Sequence, residues 1–86
     1  MSDSTIYEKL NNIFRNIFDD ERIDVNESLS ALDIDDWDSL ANISIVVAVE
    51  KDFGVKFSMS DVVEFKCVGD MVRKIKLQLE KRGDEN

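Results

Sequence analysis

The chain has 86 residues, with 19 Asp or Glu against 11 Lys or Arg, a formal charge of −8 and no histidine. A domain of that size buries only about 60% of its unfolded surface, so a large enclosed substrate cavity would compete with stability. The acidity disfavours a nucleic-acid partner, which needs clustered cations, and the lack of His removes the commonest general base and transition-metal ligand.

The first periodic segment runs from about Thr5 to Phe18, where Ile6, Leu10, Ile13, Phe14 and Ile17 recur at helical spacing and Ser4 is a candidate N-cap. Residues 19 to 38 lose that rhythm and are rich in Asp. Ile23, Val25, Leu29, Leu32 and Ile34 are scattered among the charges, so this long loop is expected to lie against the helices. A second helix is predicted from Asp38 or Ser39 to Phe53, ended by Gly54 in a left-handed conformation.

A short turn of helix follows over Asp61 to Phe65, capped by Ser58 or Ser60. The last helix spans about Val68 to Lys81, with Val68, Met71, Val72, Ile75 and Leu79 inward and Gly83 as its stop. The predicted fold is all-α: a small bundle of three main helices and one short one, with a long structured loop between helices 1 and 2. A single domain over 1–86 is expected, ordered over about 4–82, with 83–86 a disordered tail.

No apolar run approaches the roughly 18 residues needed to span a bilayer. The start Met1-Ser2-Asp3-Ser4 lacks the features of a signal peptide, and the lone Cys67 precludes an internal disulfide, so a cytoplasmic monomer is expected. Cys67 is expected to be a half-buried structural thiol, because an activated thiol needs a basic neighbourhood and Lys66 alone is thin support. The run from Asp33 to Asp38 does not make a calcium loop, which would require Gly at position 38 and Glu at position 44. No metal site is expected.

The second helix carries more apolar surface than one core needs. At about 100° per residue, Ile45, Val46, Val49 and Phe53 fall on one side and Leu40, Ile43 and Val47 nearly opposite. The stripe ending in Phe53 is expected to face the core. The other starts beside Ser39 and is a candidate docking surface, with acids nearby. Asp38 is a good N-cap, and it places the Ser39 hydroxyl at the positive end of the helix, where a phosphate is favoured.

The triplet Asp38-Ser39-Leu40 resembles the 4′-phosphopantetheine attachment motif of the acyl carrier proteins. So does its setting, after a long loop and at the head of a helix ending Val49-Glu50-Lys51-Asp52-Phe53-Gly54-Val55, with Val68-Gly69-Asp70-Met71 opening the last helix. The resemblance covers about residues 5 to 82. It implies a phosphopantetheine arm joined to Ser39 through a phosphodiester by a phosphopantetheinyl transferase, with Asp38 and Leu40 flanking the site and no catalytic residue. Acyl-type intermediates would ride on the arm as thioesters, supplied by an acyl- or aminoacyl-loading enzyme and taken up by downstream transferases. The docking surface it implies comprises Leu40, Ile43, Val47 and Glu50 with Asp35, Asp36 and Trp37, although the Trp37 ring is also expected to cover the loop and core.

The chain departs from the pattern of fatty-acid carriers. Its acids gather in the loop at Asp33, Asp35, Asp36 and Asp38, while the second helix opens with Ala41, Asn42 and Ser44, and Trp37 stands where a small residue is common. These departures suggest a carrier for a specialised pathway, with a hydroxyacyl, aminoacyl or polyketide cargo. The alternative is an unmodified acidic helical module for protein–protein interaction.

Overall fold

The computed structural model describes residues 2–81, and within them the elements follow the order α1 (Asp3–Phe18), α2 (Ser39–Phe53), α3 (Met59–Glu64) and α4 (Val68–Lys81). The expected stop at Gly83 and the expected tail lie outside the described residues. The fold is an all-α bundle.

α1 starts two residues before the expected first residue because Ser2, not Ser4, is the cap. Its side chain accepts from the Thr5 N–H, and Asp3 adds a negative charge in the first turn. α3 begins at Met59 because Ser58 and Asp61 form a capping box, each side chain accepting from the other's backbone N–H. Gly54 ends α2 with φ 69°, the left-handed conformation a side chain would resist.

The core is built where the periodicities converge. Ile6, Leu10, Ile13 and Phe14 of α1, Ile45, Val49 and Phe53 of α2, and Val68, Met71, Val72, Ile75 and Leu79 of α4 are all buried. α3 buries no side chain of its own. It is held from both ends by Phe57 and Phe65, whose rings meet edge to face at 5.1 Å.

The long loop is fastened at four places. The Asn11 side chain of α1 accepts from the Val25 N–H at 2.6 Å, and Arg15 Nε donates to the Ile23 carbonyl at 2.7 Å. At the other side the loop carbonyls of Leu29 and Glu27 accept from the Val68 and Gly69 N–H groups at 2.8 and 2.9 Å, so the loop caps α4 with its own backbone. Val25 is buried and Ile23, Leu29 and Ile34 pack partly against the core, as expected. Leu32 departs from that expectation and is 96% exposed, because it sits at the tip of a turn closed by the Asp33 N–H to Ser30 carbonyl bond.

Gly69 is fixed by this fastening. A Cβ there would lie 3.0 Å from the Glu27 carbonyl oxygen and 3.3 Å from the Glu27 Cβ. Alanine would gain about 1 kcal/mol of helix propensity, but pushing the loop away costs about 1–3 kcal/mol. Gly69→Ala is therefore expected to lower the melting temperature by several degrees, and a variant as stable as wild type would show that the loop yields freely.

Candidate functional site

Asp38 turns the loop into α2. Its backbone is extended, with φ −98° and ψ −172°, and its Oδ1 accepts from the Ala41 N–H at 2.8 Å. The next residue, Ser39, is the first of the helix and is exposed. Asp38 uses its carbonyl and its carboxylate on Asn42 and Ala41, which leaves the N–H groups of Ser39 and Leu40 without a partner among the described residues. The hydroxyl thus stands in the open at the positive end of a 15-residue helix.

An open groove of about 310 Å³ runs beside it, lined by Ala31, Trp37, Asp38, Ser39, Asn42, Phe65 and Lys66. Trp37 forms one wall. Its ring is half-buried and packs edge-on against Phe14 at 5.2 Å, with Phe18 at 6.4 Å, while its Nε1–H donates to Asn42 Oδ1 at 3.1 Å. The ring therefore covers the core and also ties the residue before the Asp38–Ser39 pair to the first turn of α2. Lys66 enters from the far side, in the link between α3 and α4. Its backbone N–H donates to Asp70 Oδ2 at 3.0 Å, and that bond holds the Asp70 carboxyl below the usual carboxylate range.

The two stripes of α2 separate as the wheel predicts. Ile45, Val46, Val49 and Phe53 are buried, whereas Leu40, Ile43 and Val47 are 73%, 57% and 54% exposed. Asp35 and Asp36 are exposed in the loop beside the head of that stripe. Glu50 acts locally, since its Oε2 accepts from the Phe57 N–H at 2.8 Å and secures the turn after α2. Of the nine residues singled out, Asp38, Ser39 and Trp37 share the groove, Leu40, Ile43 and Val47 share the exposed stripe, and Glu50 stands apart from Ser39. Asn42, Phe65 and Lys66 were not singled out for the groove. Asn42 lies in the same turn of α2 as Ser39, whereas Phe65 and Lys66 are revealed only by their neighbours in space, Lys66 being 27 residues away in the chain.

A phosphodiester fits this place. Ser39 offers an exposed hydroxyl with open space beside it, the first turn of α2 offers free backbone donors, and Lys66 lines the same groove. Among the described residues no cluster of His, Cys, Asp or Glu is arranged to hold a metal ion, and no helix is long and apolar enough to cross a membrane.

Comparison with known proteins points the same way. A family model described as a phosphopantetheine attachment site matches residues 8–75. An acyl carrier protein homolog of Mycoplasma genitalium is 37% identical over 59 residues, covering 69% of this chain and 67% of that protein. The solution structure of a holo acyl carrier protein from Geobacter metallireducens superposes with a TM-score of 0.83 at 32% identity, over 93% of this chain and 92% of that one.

Proposed function

Because the chain belongs to the phosphopantetheine attachment-site family, that of the acyl carrier proteins, we propose that Ser39 bears its 4′-phosphopantetheine arm. The family consists of carriers and not catalysts. The single observation that carries the assignment to Ser39 is its place: an exposed hydroxyl at the first position of α2, beside a groove with a cation at its edge. When bound, the arm supplies a terminal thiol for thioester chemistry. Everything else falls to the chain. Asp38 fixes the helix start, Trp37 and Asn42 keep the loop folded back from the hydroxyl, and the tether raises the local concentration of cargo at each docked enzyme.

The cargo we propose is an acyl-type unit of a specialised pathway, a hydroxyacyl, aminoacyl or polyketide group delivered by an acyl-activating enzyme. Supporting this, the acids of the docking region stand in the loop at Asp33, Asp35 and Asp36, and the opening turns of α2 carry none. Incubation with coenzyme A and a promiscuous phosphopantetheinyl transferase, followed by intact-mass analysis, tests the carrier reading. A gain of one phosphopantetheinyl group is expected. No gain beside a control carrier that is modified would leave an unmodified interaction module.

Partner enzymes are proposed to dock on Leu40, Ile43 and Val47, with Lys or Arg at their rim facing Asp35 and Asp36. A charge placed in the middle of that stripe should disrupt docking and little else. Val47→Asp is expected to reduce loading or downstream turnover about 10- to 100-fold, an interface loss of about 1.4–3 kcal/mol. Because Val47 is exposed, its melting temperature should fall by only a few degrees. A collapse of the fold would place Val47 in a structural role instead.

A further inference from the structure

Lys66 lines the groove that also contains Ser39. Its backbone is held in place, by Asp70 at its own N–H and by the packing of the preceding Phe65 on Phe57. Its ammonium, like those of Lys51 and Lys56, has no carboxylate partner among the described residues and is open to an anion. Among the described residues it is the one cation lining the groove that contains Ser39, and Asp38 lines the same groove. Any anion attached to Ser39 would add to a chain already at −8, beside exposed Asp35, Asp36 and Asp38, and would be repelled by all three.

The groove also has apolar residues in its lining, Ala31, Trp37 and Phe65. Its volume of about 310 Å³ is at the lower limit for small-molecule sites, suited to the phosphate and branched pantoyl half of the arm, with the thiol end left outside. The donor of the Trp37 indole is already engaged by Asn42, so the ring offers its apolar surface to the groove.

We infer that Lys66 is a positioning residue for the prosthetic arm: its ammonium pairs with the phosphodiester on Ser39, and the groove between Trp37 and Phe65 seats the pantoyl portion. This rests on the assignment of the arm to Ser39. A seated phosphate fixes the direction in which the rest of the arm leaves the protein, along the groove toward the α3–α4 link, while the stripe of Leu40, Ile43 and Val47 stays uncovered for a partner.

The test compares apo- and holo-protein by NMR in wild type, Lys66→Gln, Lys66→Arg and, as a control outside the groove lining, Lys56→Gln. In wild type, loading should shift the amides of Phe65 and Lys66 and the indole N–H of Trp37. Lys66→Gln should lose most of the Phe65 shift and move the ³¹P resonance of the phosphodiester toward that of an unbound one, while Lys66→Arg and Lys56→Gln keep the wild-type pattern. Raising the salt concentration should reproduce the Lys66→Gln spectrum in wild type, since a single exposed ion pair is screened. Loading at Ser39 with ³¹P and groove signals identical in wild type and Lys66→Gln would overturn the role of Lys66 and leave the attachment intact. Failure to load, or loading at another serine, would overturn both.

Discussion

Ser39→Ala is expected to abolish loading: intact mass should show no phosphopantetheinyl gain under conditions that convert wild type completely. The loss would be chemical and not structural. Ser39 is exposed, alanine is the best helix former, and the cap that starts α2 is the Asp38 carboxylate on Ala41, which the substitution leaves in place. Helicity and melting temperature should therefore match wild type or rise slightly. The chain has other exposed serines, and Ser44 sits on α2 itself, so a residual gain in the variant would assign the arm elsewhere. The requirement for the first helical position explains why those serines should not substitute. A hydroxyl further along the helix faces carbonyl-bonded amides and has neither the free N–H groups of the first turn nor the groove.

The second large effect is on stability. Phe14 is fully buried and stands where α1, the loop and Trp37 meet. Phe14→Ala removes that ring and leaves a cavity, at a cost of about 3–5 kcal/mol. A domain of this size has about 4–13 kcal/mol in total, so the variant should melt some 15–30 °C lower, roughly as the usual scaling for short chains gives. Trp37 is the single tryptophan, so its emission should shift to the red below the global transition as the loop loosens from α1. An unshifted emission at native temperature, with the melting point barely changed, would show that the loop is held by its backbone ties alone. Val25 and Ile23 would then be the residues to truncate next.

Much of this was legible in the chain because helical period and burial agree. The inward stripes of α1, α2 and α4 contain the residues that spacing selects, and the double stripe of α2 separates into a buried and an exposed face without exception. Local ambiguities were settled by side chains the period cannot rank. Spacing points to Ser4 as the cap of α1, and the chain uses Ser2, which lets Asp3 enter the first turn. Leu32 looks like a core residue by composition and is not one, because the Ser30–Asp33 turn points it outward.

The groove could not be deduced in the same way. Phe65 and Lys66 come to Ser39 through contacts between distant segments, and the decisive ones are main-chain bonds from the loop to α4, which leave no trace in side-chain pattern. Glu50 illustrates the converse. Its charge and position on α2 suggest a surface role, and its carboxylate is used on the Phe57 amide.

That main-chain fastening has a consequence for how such a chain can change over evolutionary time. The bonds from Leu29 to Val68 and from Glu27 to Gly69 join peptide groups, so among replacements only proline at 68 or 69 deletes a donor, and only a bulkier residue at position 69 directly obstructs them. The architecture is thus insured by atoms that every amino acid except proline carries. Leu40, Ile43 and Val47 hold no part of the frame, so drift there would redirect the carrier from one enzyme to another without risking the fold.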